Sequence, residues 1–217
     1  HGDVSALDTD MVVNYLGALK QSLLDISDWV ERGIEPRQSS SYEMEGGIVH
    51  LEKDPAKRKG LQPIIAAGVR AAEKNVKTVE ANSIAAVLDG MKDCIHVKQG
   101  EKVMLWAAAE VPEGSGQITE LKFSLSDPMF GTYANRKFGE DYASFMAGGR
   151  SERVKGAVHH FTTEDGRDGA YASVETSYDK PGTYFATAFV KSQRDGLTEE
   201  PYTQIKNLAR MRIVVEA

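Results

Sequence analysis

The first strong pattern in the chain is a stripe of apolar residues near its beginning. Six residues recur at alternating steps of four and three, which places them on one face of an α-helix: Val12, Leu16, Leu19, Leu23, Ile26 and Val30. Asp8 is a candidate N-cap, and Gly33 followed by Pro36 ends the pattern. The sequence therefore predicts an amphipathic helix from about Thr9 to Arg32.

This stripe needs a covering surface. Burying six such side chains stabilises a structure by about 10 kcal/mol, so we do not expect them to face water. Three covering surfaces are open at this point: the β half of the chain, a second copy of the chain, or a protein segment that precedes residue 1.

The hydrophobic pattern changes from a helical period to a strand period in the second half of the chain. From Ala209 to Val215 apolar and polar residues alternate, with Arg210 and Arg212 on the outer side. A second strand follows Pro181-Gly182, and apolar residues occupy both of its faces up to Val190. Such strands belong to a sheet that packs against another layer.

Further strands bounded by turn residues predict a mainly β fold, a β-sandwich preceded by the N-terminal helix and an extended arm. A polar arm over 37–60 contains a short apolar stretch at 47–51 that suits a small hairpin, and a helix is predicted over 83–91. We expect two regions, 1–60 and 61–217, with insertions in the second at about 73–93 and 127–150. The strands are predicted near 62–72, 95–97, 103–111, 118–125, 155–161 and 170–177.

Charge and composition limit the class of partner. The 217 residues carry a formal net charge of -6, which argues against nucleic acid or an anionic membrane as the main partner. A neutral or sugar-like ligand, or a protein surface, fits better. The sequence has no apolar run long enough for a membrane span. Cys94 is the only cysteine, so an intrachain disulfide is excluded.

Residues with catalytic or metal-binding chemistry are few. No Gly-x-Ser-x-Gly motif occurs, so the chain alone lacks the nucleophile of a serine hydrolase. His159 and His160 are adjacent on a predicted strand and point to opposite faces, which prevents joint metal binding. Glu164, Asp165 and Asp168 lack the spacing of a calcium loop and suit a hairpin tip. We expect no metal site and no cofactor.

The insertion at 127–150 is rich in aromatic residues. Exposed aromatic rings stack on sugars or anchor protein partners, although in many insertions they only pack the loop down. The candidate binding residues are Phe130, Tyr133, Phe138 and Tyr142.

Several motifs between 95 and 216 resemble the polycystic kidney disease (PKD) domain, an immunoglobulin-like β-sandwich common in extracellular proteins. The resemblance is carried by Gly100-Glu101-Lys102-Val103, the turn at 112–116, and Tyr178 followed by Pro181-Gly182-Thr183-Tyr184. In that family a middle strand carries a Trp-Asp-Phe-Gly-Asp-Gly-like signature, of which only Phe123 is present here. The resemblance implies an immunoglobulin-like fold.

The N-terminal residues resemble the end of an α/β-hydrolase of the tannase or feruloyl-esterase kind. The likeness lies in His1-Gly2-Asp3, the helix that follows, and the phrase from Asp28 to Pro36. In those enzymes the triad histidine precedes a last helix with a similar ending. The resemblance implies that His1 is the general base and that the chain is the tail of a larger enzyme.

These observations lead to three hypotheses about function. The first is a non-catalytic C-terminal accessory or interaction module of a secreted or periplasmic hydrolase-like protein, inactive alone. The second is the C-terminal chain of an α/β-hydrolase-type serine esterase in which His1 is the triad base. The third is a carbohydrate-binding module that uses the aromatic insertion.

Overall fold

The computed structural model describes residues 13–72, 80–125 and 153–217. Two helices and eleven strands lie in this part of the chain. In chain order they are α1 (Leu16–Arg32), β1 (Tyr42–Glu45), β2 (Ile48–Leu51), β3 (Ile64–Ala71), α2 (Ile84–Val87), β4 (Cys94–Lys98), β5 (Val103–Glu110), β6 (Gln117–Ser124), β7 (Arg153–Val154), β8 (His159–Thr162), β9 (Asp168–Thr176), β10 (Gly182–Gln193) and β11 (Ile205–Glu216).

Two sheets form a β-sandwich. One has the strand order β4-β11-β10-β6-β7 and the other the order β3-β5-β9-β8. Neighbouring strands are antiparallel, except that β4 runs parallel to β11. This order corresponds to the immunoglobulin arrangement, in which strands A, B, E and D face strands C, F and G. The mainly β, immunoglobulin-like fold class expected from the sequence is therefore confirmed.

The core lies between the two sheets. Met211, Ile213 and Val215 point inward from β11, as the alternation predicted, and Arg212 is exposed. They pack with residues such as Leu105 and Phe123 in one continuous hydrophobic cluster. Period-two alternation along each strand thus decides which side chains the sandwich buries.

The outer face of β10 differs from the expectation that both of its faces pack against a second layer. Phe185 and Phe189 are half-buried on that face. The guanidinium of Arg210 lies over the Phe185 ring, and that of Arg153 over the Phe189 ring at 3.9 Å from its centre. Arginine side chains, rather than another layer of strands, cover these rings.

A smaller hydrophobic cluster lies on the outer face of the second sheet. Trp106 and Ala108 of β5 pack there against Ile84 and Val87 of α2. Below this cluster, the backbone N–H of Ile84 donates to the buried Glu110 carboxylate at 2.7 Å. The short helix is thus held to the sheet by packing and by one charge-assisted hydrogen bond.

Candidate interaction surface

Helix α1 lies on the sandwich through its polar face. Gly17, Gln21 and Asp25 are its buried residues. A Cβ atom at Gly17 would overlap the carbonyl oxygen of Gln204, so the helix approaches the chain before β11 as closely as a glycine permits. Asp25 accepts a hydrogen bond from Gln21 at 2.9 Å and pairs with Arg194 at 2.6 Å. A close backbone contact and a largely buried ion pair therefore fix the helix in place.

The apolar stripe of α1 faces away from the sandwich. Leu19, Leu23, Ile26 and Val30 are all exposed, from 49% for Leu19 to 77% for Val30, and Leu16 is half-buried. Of the three covering surfaces left open by the sequence, the described part of the β half does not cover these residues. The sixth member, Val12, lies outside the described residues.

The stripe has aromatic and aliphatic neighbours that are also exposed. Tyr15, Trp29 and Ile34 each expose more than half of their surface. Together these seven exposed side chains give α1 an apolar outer surface, and the largest apolar patches of soluble proteins are often interaction sites. The stripe and these neighbours are called the α1 stripe below.

The helix begins later than the sequence predicted. Residues 13–15 are not helical, and the backbone N–H of Leu16 is accepted by the side chain of Asn14 at 3.0 Å. Asp8, the expected N-cap, lies outside the described residues. The predicted end is confirmed, because Gly33 adopts a φ of 70° and its N–H donates to the carbonyl of Trp29.

The arm between α1 and β3 carries a protruding hairpin, as the short apolar stretch at 47–51 suggested. Strands β1 and β2 pair through a turn at Gly46-Gly47, and all eight strand residues are exposed. Their register places Tyr42, Met44, Val49 and Leu51 on one face. Because these side chains are exposed, this face is a second apolar surface that no described residue covers. A two-stranded hairpin is only marginally stable alone, so contact with a partner would stabilise it.

An open cleft lies beside α1. It has a volume of about 860 Å³. Its lining consists of Asp25 and Asp28 of the helix, residues 34–38 and 56–60, and Glu113 and Arg194. Charged side chains of both signs line it, unlike the α1 stripe.

The histidines of the sandwich have structural contacts. His159 stacks on Tyr171 with ring centres 5.1 Å apart, and the Nδ1 of His160 lies 3.5 Å from Asp168. His96 contacts Glu216 at 3.1 Å. None of these side chains belongs to a cluster of three metal-ligating groups in the described ranges.

The acidic turn between β8 and β9 is a hairpin tip in which the carboxylates of Asp165 and Asp168 are already bonded. Asp165 pairs with Arg167 at 2.7 Å, and this pairing with a guanidinium lowers the pKa of Asp165. Arg167 also pairs with the buried Glu110 at 2.8 Å. Asp168 accepts the backbone N–H of Ile118. The turn thus connects three parts of the sandwich.

The site residues expected from the sequence lie outside the part of the chain that the structure describes. These are His1 and the aromatic residues Phe130, Tyr133, Phe138 and Tyr142. Their roles therefore stay predictions. In the described part, no helix is long and apolar enough to cross a membrane.

The comparisons with known proteins give fold-level likeness only. No protein-family model and no curated protein matches the chain. A CARDB domain from Pyrococcus furiosus, solved by NMR, has 10% identity and a TM-score of 0.29 over 71% of this chain and 95% of its own. A crystal structure of that domain with two metal ions has 8% identity and a TM-score of 0.32 over 76% and 98%. The ASH/PapD-like domain of human CEP192 has 13% identity and a TM-score of 0.28 over 84% and 97%.

Scores at this level carry no argument about function, and the fold assignment rests on the strand order described above. The described part of the protein is an immunoglobulin-like β-sandwich that carries an amphipathic helix. The polar face of this helix packs on the sandwich, and its apolar face is exposed. The exposed α1 stripe is the candidate interaction surface of this fold.

Proposed function

We propose that the chain is a non-catalytic accessory module of a secreted or periplasmic hydrolase-like protein. In this proposal the α1 stripe docks on the hydrolase part, and the sandwich belongs to the PKD-like group of immunoglobulin-like domains. The region 1–60 acts as the connecting helix and arm, and 61–217 as the module.

The exposed α1 stripe carries the proposal. The helix is anchored at Gly17 and Asp25, so its apolar side cannot turn inward without breaking the Asp25–Arg194 pair. A stripe held outward by a fixed scaffold is a preformed surface, and little ordering entropy is lost when a partner binds it. Its apolar character suits a buried contact rather than a transient polar one.

The hydrolase assignment is supported by the resemblance at His1-Gly2-Asp3 and Asp28–Pro36. The final part of that phrase ends α1 at Gly33, as such a phrase does in the resembling enzymes. A hydrolase core with a Gly-x-Ser-x-Gly motif is therefore expected in the same reading frame.

The test is a binding titration between the separately expressed hydrolase part and this chain. Leu23→Asp replaces an exposed leucine that the partner would bury and places a charge in the contact, so we expect at least a tenfold loss of affinity. The matched control is Val158→Asp, an exposed apolar residue in the loop before β8, which should leave affinity unchanged.

Analytical ultracentrifugation of the chain alone tests the competing possibility that a second copy of the chain covers the α1 stripe. A dimer of this chain that Leu23→Asp dissociates would assign the stripe to a second copy and overturn the proposal. A reading frame without a hydrolase region would do the same.

A further inference from the structure

The cleft beside α1 has the size and the mixture of groups of a small-molecule site. Its volume of about 860 Å³ falls within the range of ligand pockets. Ile34, Pro36 and Ala56 contribute apolar surface to the lining, and charged side chains surround it. The cleft is open to solvent, so a ligand can enter without a change of the fold.

Part of the charge in the lining is already paired. Asp25 is bonded to Arg194, and Asp28 pairs with Arg32 of the same helix. Lys57 pairs with Asp54 at 3.1 Å. These groups shape the wall but have little capacity left for a ligand.

Three charged side chains of the lining are uncommitted. Arg37, Glu35 and Glu113 form no hydrogen bond and no ion pair with any described residue. The Arg37 guanidinium lies against Gly114, in the space that a Cβ atom would occupy. This contact orients an unpaired cation at the rim of the cleft. Arg58, also in the lining, has an Nε atom without an acceptor.

The combination of free groups selects a ligand class. A guanidinium binds a carboxylate with two parallel hydrogen bonds. The free carboxylates of Glu35 and Glu113 repel polyanions but accept hydrogen bonds from hydroxyl groups. Pro36 and Ile34 offer an apolar surface on which the C–H face of a sugar ring can lie.

We propose that this cleft binds a small polyhydroxylated carboxylate, such as a sugar acid. Arg37 holds the ligand's carboxylate, and Glu35 and Glu113 accept its hydroxyl groups. This inference does not rest on the docking role of α1 or on the aromatic insertion, although Ile34 belongs both to the α1 stripe and to the cleft lining.

The test uses sodium D-glucuronate as the probe and the amide signals of the chain in a two-dimensional NMR titration. We expect saturable shifts for residues of the cleft, with D-glucose and sodium acetate each binding at least tenfold more weakly. Arg37→Gln should weaken glucuronate binding at least tenfold. Lys98→Gln, an exposed residue of β4 outside the cleft lining, is the matched control and should leave binding unchanged.

Three results would overturn the inference. The first is the absence of a saturable change beyond that of sodium chloride at equal ionic strength. The second is equal binding of acetate and glucuronate, which would indicate charge alone. The third is unchanged binding by Arg37→Gln. Because Arg37 is exposed, that variant should fold, and its unshifted sandwich signals check this directly.

Discussion

At the scale of single residues, two tyrosines hold the corner where β9 leads into β10. The hydroxyl of Tyr178 donates to the carbonyl of Leu125 at 2.5 Å, across the sandwich, and its ring packs on Tyr184 with centres 4.3 Å apart. The hydroxyl of Tyr184 donates to Lys180 four residues upstream, as in the tyrosine corner of immunoglobulin domains. Burial raises the pKa of Tyr178 above its usual value of 10.0.

Removing the Tyr178 hydroxyl should destabilise the fold more than removing that of Tyr184. Tyr178→Phe leaves the Leu125 carbonyl without its partner, and we expect a loss of about 1 to 2 kcal/mol in the free energy of unfolding. Tyr184→Phe, the matched control, removes an exposed bond and should cost less than about 1 kcal/mol. Urea denaturation of both variants measures the difference, and equal losses would contradict it.

The raised pKa of Tyr178 gives the same pair a second readout. The folded state holds the phenol proton more tightly than the unfolded chain does, so stability is intact below pH 10.0 and falls as the pH rises above it. Tyr178→Phe should remove part of this alkaline loss, measured as the melting temperature between pH 9 and 11.

At the scale of elements, one buried ion pair joins three of them. Glu110 at the end of β5 pairs with Arg167 of the β8–β9 turn and accepts the N–H of Ile84 at the start of α2. Both charged side chains are less than a tenth exposed. Their desolvation is offset only while every partner is present.

Breaking this pair should be far more costly than breaking an exposed one. Arg167→Met leaves the Glu110 carboxylate buried without its guanidinium, and we expect a loss of about 3 to 5 kcal/mol. The matched control, Lys102→Met, removes the exposed partner of Glu175 and should cost less than about 1 kcal/mol. Chemical denaturation provides the measurement. A cost for Arg167→Met as small as that of the control would show that the pair does not hold these elements.

The elements themselves were largely predictable from sequence, because alternation and turn residues are local signals. Strands β3 to β6 and β9 to β11, the hairpin and the end of α1 follow the predicted pattern. The strand predicted at 155–161 is formed only in its last part, by β8. Strand β7 was not predicted, and α2 is shorter than the helix predicted over 83–91. The docked face of α1 was not predictable from periodicity, since it is polar. The signal that existed was the spacing of Gly17, Gln21 and Asp25 on one face of the helix, but the partners Gln204 and Arg194 are distant in sequence.

The surfaces were less predictable than the strands, because the residues that form them are distant from one another in sequence. Arg37, Glu113 and Arg194 meet at the cleft from three separate segments, and no local motif marks them. By contrast, the expected binding residues from Phe130 to Tyr142 rest on composition alone.

At the scale of the whole molecule, the contact of α1 with the sandwich determines how the α1 stripe is presented to a partner. None of the α1 residues belongs to either hydrophobic cluster, so we expect the sandwich to keep its core when the helix is detached. The helix depends on the sandwich for its position.

Adding one methyl group at this contact should therefore release the helix. Alanine normally stabilises a helix relative to glycine by about 1 kcal/mol, but at Gly17 its Cβ would overlap Gln204. We expect Gly17→Ala to speed amide hydrogen exchange in α1 at least tenfold and to leave exchange in β10 unchanged. Leu24→Ala, at an exposed position of the same helix, is the control. Unchanged exchange in α1 of Gly17→Ala would show that the contact does not position the helix.

The base of the arm is closed by a hydrogen bond from the Ser40 hydroxyl to the carbonyl of Lys59. Ser40 and Lys59 are held together, so the length of the segment between them has no effect on the strand register of the sandwich. Lengthening such a closed loop costs little entropy. Evolution can therefore add or remove residues at the tip without refolding the body. The hairpin of β1 and β2 at the tip of the arm, which lies outside the cleft lining, is thus free to diverge and to fit a new neighbour.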